Sequence, residues 1–281
     1  MKRPIGVFDS GLGGISVLAQ MMISLPEESY VYYGDSKNAP YGEKSKEEVL
    51  TYSLDISKKL LDQKAKAMVV ACNTATSAAI KDLRGMFDIP IIGMEPAVKP
   101  ALNMKNIQRV VVMATPFTLR EKKFHELVQN LDTNKKIVKL PCPGLVQLIE
   151  HEGGSGPRVR EYLKKLFIFN NITQGDVMVL GCTHYVFLAE TIRELFDKQV
   201  PVVHGNTGTV LELENQLRNK KLLYSKDDDT LNQRVLKEKW RLPVKEQDLK
   251  RNVQIFNSHE DSSFNRKGWD LLRYEMKKML K

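Results

Sequence analysis

Ala67-Met68-Val69-Val70-Ala71-Cys72-Asn73-Thr74 and, 110 residues further on, Val177-Met178-Val179-Leu180-Gly181-Cys182-Thr183-His184 are two versions of one unit. Each begins as a short apolar run without polar alternation, the pattern of a strand buried on both faces of a parallel sheet. Each then gives way to a small residue, a cysteine, and hydroxyl or amide side chains. A second pair echoes the first: Ile5-Gly6-Val7-Phe8-Asp9-Ser10 and Val110-Val111-Val112-Met113-Ala114-Thr115 are strands with polar C-terminal ends, 105 residues apart. The two offsets suggest two related α/β halves of roughly 100 residues each, an ordinary domain size.

Working outward, further strands are predicted at Tyr30 to Tyr33, Pro90 to Gly93, Lys136 to Leu140, Val200 to Val203 and Val253 to Phe256. Helical periodicity separates them. Ser45-x-x-Glu48 is a capping box followed by the stripe Val49, Tyr52, Ile56, Leu60 and Leu61. Other helices are expected from about Thr74 to Phe87, Thr118 to Asn130, Pro157 to Phe169, His184 to Phe196, Thr207 to Leu217 and Asn265 to Leu280. Lys220 to Lys250, with Asp227-Asp228-Asp229 inside it, reads as a poorly packed, charge-rich connection with some helix.

The 281 residues are 42% hydrophobic and 27% charged, an ordinary globular composition. No apolar run approaches the roughly 18 residues of a membrane helix, and the run Ile5 to Phe8 stops at Asp9, too short for a signal-peptide core. Three cysteines without a C-x-x-C pair make neither a disulfide framework nor a zinc site, so a reducing cytoplasm is the expected location. The net charge of +9 is spread: residues 211–281 hold 17 Lys and Arg against 12 Asp and Glu, leaving +4 for the first 210. Aromatics make up 7% and do not interleave with basic blocks, which argues against nucleic acid as the main partner. A basic surface that attracts a small anionic substrate fits better.

Ligands of open α/β sheets bind beyond the carboxyl ends of strands, where Cys72 and Cys182 both stand. A lone cysteine is usually a small buried hydrophobe, and Cys142, between Pro141 and Pro143, is read that way. For Cys72 and Cys182 the polar followers Asn73-Thr74 and Thr183-His184 favour chemistry; a helix N-terminus at either place would lower the thiol pKa. Asp9-Ser10-Gly11-Leu12-Gly13-Gly14 fails the G-x-G-x-x-G fingerprint, because Ser16 occupies the last position, and no Gly-Lys-Ser/Thr follows. Asp9 and Ser10 either cap a helix starting near Gly13 or place a carboxylate beside a catalytic thiol. His184 is either a core histidine or an acid/base partner.

Together Asp9-Ser10-Gly11-x-Gly13-Gly14, Gly34-Asp35, Pro40-Tyr41-Gly42, Ala71-Cys72-Asn73-Thr74, Ala114-Thr115 with Thr118, and Gly181-Cys182-Thr183-His184-Tyr185 resemble the glutamate racemases of the aspartate/glutamate racemase superfamily, over residues 4 to about 203. The resemblance implies two pseudo-symmetric α/β domains with mainly parallel sheets, residues 1–97 plus 207–281 and residues 98–206, with the active site in the cleft between them. It implies cofactor-independent interconversion of L- and D-glutamate for peptidoglycan, with Cys72 and Cys182 as the two acid/base thiols. Asp9 and His184 would assist them; Ser10, Pro40, Tyr41, Gly42, Asn73, Thr74, Thr115, Thr118, Glu150 and Thr183 would hold substrate alongside them. Thr118-x-x-Glu121 also reads as a capping box. Two departures from the family pattern are Ser36, where many members have Thr, and His204-Gly205-Asn206-Thr207, where Asp-Ser is usual; the tail beyond residue 211 matches poorly.

The chemistry agrees with that resemblance. Inverting a stereocentre by proton transfer needs one group to take the Cα proton and another to deliver one from the opposite face. No lysine motif marks a pyridoxal site, and neither metal nor other cofactor is expected. Aspartate racemisation, or another reaction of the superfamily, is the nearest alternative; a cleft-binding or nucleic-acid-binding protein is the alternative of another class. A homodimer is left open.

Overall fold

The computed structural model describes residues 3–129, 131, 136–224, 249–250, 252–259 and 261–280. Two parallel sheets organise them. The first contains β1 (Ile5–Asp9), β2 (Tyr30–Gly34), β3 (Ala67–Val70), β4 (Ile91–Gly93) and β9 (Val253–Asn257) in the order β4-β3-β1-β2-β9. The second contains β5 (Arg109–Ala114), β6 (Lys136–Pro141), β7 (Asp176–Leu180) and β8 (Val202–His204) in the order β6-β5-β7-β8. Read from β4 to β2 and from β8 to β6, the two orders are the same. The register repeats as well: Val70 lies beside Phe8 with Cys72 two residues on, and Leu180 lies beside Met113 with Cys182 two residues on.

Helices cover both faces of each sheet, as strands buried on two sides require. On the first sheet, α1 (Ile15–Ser24), α10 (Asn206–Asn219) and α11 (Ser262–Leu280) share a core with Val7, Val69, Leu213, Leu272 and Met276. On its other face α2 (Lys46–Asp62) and α3 (Asn73–Met86) pack over Phe8, Met68 and Val70. The second sheet has α7 (Leu145–Glu152), α8 (Pro157–Phe169) and α9 (Ala189–Leu195) on one side. Its other side carries α4 (Val98–Leu102) and α6 (Lys122–Gln129), while α5 (Pro116–Arg120) leads into α6. The chain therefore enters the second core near Ala97 and returns to the first after Gly205.

The capping box of α2 is present: Ser45 Oγ accepts from Glu48 N at 3.1 Å, and Glu48 Oε2 accepts from Ser45 N at 2.8 Å. Its buried face is narrower than the sequence stripe. Ser53 and Ser57 are buried there, returning their hydroxyls to the carbonyls of Val49 and Ser53, while Tyr52 and Leu61 stay half-buried. The expected helix from Thr118 is two helices. Thr115 is the N-cap of α5, with its hydroxyl accepting from Thr118 N, and Glu121 adopts extended backbone before α6 begins, so Thr118-x-x-Glu121 is not a capping box. The helix expected from His184 starts as a 3-10 turn, His184–Leu188, before α9. Sequence periodicity missed α7, whose N-cap Gly144 has φ +72° and offers no capping side chain. Most of the charged connection, including Asp227 to Asp229, lies outside the described residues. No helix among the described residues is long and apolar enough to cross a membrane.

One buried ion pair fixes how the chain leaves α10. Lys66 Nζ meets Glu28 Oε2 at 2.6 Å and donates to the Leu222 carbonyl at 2.6 Å, while Tyr224 N donates to Glu28 Oε1 at 2.7 Å. Removing one partner leaves a charge stranded away from water, which typically costs about 3–5 kcal/mol. Lys66→Met is expected to lower the unfolding free energy by about that amount in urea titrations, and Lys66→Met with Glu28→Gln to recover part of the loss.

Candidate active site

Four strands end at one place. Asp9 closes β1, Cys72 follows β3, Thr115 follows β5 and Cys182 follows β7, so the carboxyl ends of both sheets face the same join. Around Cys72 the thiol is the N-cap of α3: its sulfur accepts from Ala75 N at 3.4 Å and lies 3.6 Å from Ser10 Oγ. Asp9 is completely buried. Its Oδ1 accepts from Gly11 N at 2.9 Å and its Oδ2 from the Thr183 hydroxyl, across the join, at 2.9 Å. Neither Asp9 nor Ser10 caps α1, whose N-cap is Gly14 without a side-chain bond.

The helix N-terminus does not win the contest over Cys72. Burial, reinforced by the Asp9 carboxylate, pushes the thiol up to about 12, against the lowering effect of the Ala75 amide and Ser10. Asp9 is itself raised by burial, opposed by the nearby His184 and by hydrogen bonds from Gly11 and Thr183.

The Cys182 side is built differently. A 3-10 turn replaces an α-helical N-terminus there, and His184, buried to 2% exposure, places Nε2 2.9 Å from Glu150 Oε1. Burial alone would pull the imidazole down. Hydrogen bonds to Cys182 and Glu150 outweigh it and hold His184 protonated well above its usual range. Burial likewise works to raise Glu150, and the same imidazole brings it below the ordinary carboxylate range. One thiol thus faces a carboxylate, and the other an imidazolium backed by a carboxylate.

The glycine-rich turn explains how the two sides come so close. A Cβ on Gly13 would lie 2.5 Å from both His184 Nδ1 and Thr183 Oγ1, and one on Gly11 would lie 2.5 Å from Glu150 Oε1. These glycines admit side chains of the other half where nucleotide motifs admit phosphate.

Three hydroxyls form a second bridge. Thr74 Oγ1 is 3.0 Å from Thr115 Oγ1 and 3.3 Å from Thr118 Oγ1, and Thr115 donates to Thr118 at 3.0 Å. Against them sits the turn Tyr41–Glu43, introduced by the half-buried Pro40; a Cβ on Gly42 would touch Thr115 at 3.0 Å. Tyr41 donates to Asp35 Oδ2 at 2.6 Å. Asn73 is buried, with its amide 3.5 Å from the Met94 carbonyl. Cys142 is also buried, its thiol on the Leu140 carbonyl at 3.3 Å and its own carbonyl accepting from Tyr185. Sequence reasoning left out Asp35 as a site residue and Tyr32, whose hydroxyl donates to the Gly11 carbonyl at 2.7 Å. Asp35 carries no signal beyond the Gly34-Asp35 pair, and Tyr32 none beyond its place in a strand.

A cavity of about 960 Å³ borders the His184–Glu150 pair and runs under α11 between Lys267 and Lys278, without reaching either thiol. Among the described residues no group of three or more His, Cys, Asp or Glu side chains is placed to hold a metal ion.

Against known proteins, residues 15–213 match the family model described as Asp/Glu/Hydantoin racemase. A glutamate racemase of Clostridium botulinum strain Alaska E43 is 49% identical over 227 residues, 80% of this chain and 88% of that protein. The glutamate racemase of strain Loch Maree is 45% identical over 259 residues, covering 92% and 93%. Among solved structures, glutamate racemase isoform RacE1 from Bacillus anthracis superposes with TM-score 0.78 at 28% identity, covering 96% of this chain and 94% of that one. Glutamate racemase from Francisella tularensis, in complex with D-glutamate, gives 0.76 at 25% identity, covering 97% and 94%. With parallel α/β sheets, equivalent strand-end cysteines and a family match across most of its length, the chain belongs to the Asp/Glu/hydantoin racemase family.

Proposed function

We propose that the protein is a glutamate racemase that inverts Cα with two thiols, Cys72 and Cys182, and no cofactor. The observation that carries this reading is the pair of cysteines at equivalent ends of β3 and β7, on the two sides of a join bridged by the Thr183–Asp9 hydrogen bond. The relatives' names favour glutamate over aspartate. We further propose residues 1–97 with 207–281 and residues 98–206 as the two domains, a cytoplasmic location, and D-glutamate for peptidoglycan as the product's use.

In this reading a thiolate on one face takes the Cα proton and the opposing thiol gives its own proton to the other face, so thiol and thiolate exchange places at each turnover. Following the family resemblance, Cys182 takes the proton of L-glutamate and Cys72 that of D-glutamate. In the first direction Cys72 is the donor, and burial with the Asp9 carboxylate keeps its proton in place until then. His184, protonated beside the Cys182 sulfur, is the proton reservoir on that side and Asp9 the one beside Cys72. The Thr74–Thr115–Thr118 hydroxyls, Ser10, Asn73, Tyr41, Gly42, Pro40 and Thr183 line the surface against which carboxylates and ammonium bind. A substrate ammonium near Asp9 adds the positive charge that brings the Cys72 thiol back down.

Optical rotation of L- or D-glutamate with dialysed protein tests the reading. Decay toward zero from either hand supports it; a flat signal for glutamate with decay for aspartate moves the assignment to aspartate. The enantiomers are equal in free energy, so any variant has the same kcat/KM in both directions, and diagnosis rests on comparing inversion with Cα exchange. Cys72→Ser and Cys182→Ser are each expected to lose about 10²–10⁴-fold in inversion. Slow deuterium exchange is expected to survive in D2O only from L-glutamate for Cys72→Ser and only from D-glutamate for Cys182→Ser.

The Cys72 proton has its own signature. Only the thiolate is alkylated, so the rate of Cys72 carboxamidomethylation by iodoacetamide, read by peptide mass spectrometry, is expected to climb about tenfold per pH unit from pH 7 to 10. A plateau in that interval contradicts a thiol held up to about 12.

A further inference from the structure

The geometry points to Tyr32 as a positioning residue that staples the glycine-rich turn and so sets the separation between the two thiol-bearing sides; this rests on the racemase reading above. Tyr32 is completely buried in the middle of β2, and its hydroxyl does not touch the candidate substrate surface. It reaches across to the turn instead, donating to the Gly11 carbonyl at 2.7 Å. A Cβ on Gly14 would stand 3.1 Å from the Tyr32 hydroxyl oxygen and 2.6 Å from the Asp9 Cβ. The hydroxyl therefore bonds the start of the Gly11–Gly14 segment and packs against its end, beside Asp9. Asp9 takes the Gly11 amide from the other direction, so turn and carboxylate move together.

The same segment is what the second half leans on, through the contacts of Gly13 with Thr183 and His184 and of Gly11 with Glu150. Loss of the hydroxyl leaves the buried Gly11 carbonyl without its side-chain partner, beside Gly34, where a Cβ would lie 2.6 Å from that carbonyl. The turn then relaxes, and Asp9 and His184 lose their fixed spacing together.

β2 supplies its own control. Tyr30 lies two residues earlier on the same face, equally enclosed, and donates to the Met21 and Leu25 carbonyls at the far end of α1. Tyr32→Phe and Tyr30→Phe thus delete the same group from similar surroundings, one bonded to the turn and one remote from it. In the full-length protein, Tyr32→Phe is expected to lower kcat on glutamate about tenfold with KM changed less than about twofold, and to shift a limb of the kcat/KM pH profile. Tyr30→Phe is expected to lose stability but keep kcat within about twofold and leave the profile in place.

The iodoacetamide rate at Cys72 provides a readout independent of turnover, expected to rise at least about threefold in Tyr32→Phe and to stay unchanged in Tyr30→Phe. Equal kcat and equal alkylation in both variants would overturn the assignment, as would a Tyr32→Phe protein that fails to fold while Tyr30→Phe folds. A wild-type protein inactive on glutamate defeats the racemase reading and leaves the alkylation comparison to decide on Tyr32.

Discussion

The buried hydrogen bond between Thr183 and Asp9 is the constraint around which the molecule is arranged. It joins the end of β1 in one sheet to the residue after Cys182 in the other, and it forms only if two backbones approach to side-chain contact. Glycine at 11 and 13 makes the approach sterically feasible, and parallel strands ending at one level bring the groups to the join. The threonine cluster repeats the arrangement on the other flank, with Thr74 from the first half and Thr115 and Thr118 from the second.

Two-fold resemblance in backbone does not extend to electrostatics. The first side sets a carboxylate against a thiol in a dry environment, which favours the neutral sulfur. The second sets an imidazole between a thiol and Glu150, which favours the charged ring. Identical environments would treat the two thiols alike; here burial and the Asp9 carboxylate hold the proton on Cys72. Pseudo-symmetry supplies the opposed geometry, and the departures from it set a carboxylate beside Cys72 and an imidazole beside Cys182.

Much of this was legible in the residues. Unbroken apolar runs announced parallel strands, the offset of the Cys72 and Cys182 units announced the repeat, and Ser45-x-x-Glu48 announced the start of α2. What escaped had physical reasons. Gly144 begins α7 with a backbone conformation and no side-chain cap, so nothing in the pattern marks it. Glu121 breaks α5 from α6 through backbone conformation alone, inside a stretch whose periodicity runs on. The helix N-terminus at Cys72 was legible because it is a local feature, whereas the burial and the Asp9 charge that oppose it come from packing of distant segments. Tyr32 looked like any strand aromatic, since its partner is a carbonyl 21 residues away.

The path of the chain through the two sheets has a bearing on how the protein is made. All four strands of the second sheet are contiguous in sequence, from Arg109 to His204, while the first sheet waits for β9 and α11 near the end. During synthesis from the N-terminus, the second sheet can close while the first still exposes the outer edge of β2 and the apolar face that Leu272 and Met276 later cover. The nascent chain therefore carries an open parallel edge for the time needed to translate roughly 50 further residues, a few seconds to ten at ordinary elongation rates. Chaperone dependence and aggregation during expression should accordingly track truncations of the last strand and helix more closely than changes in the inserted half.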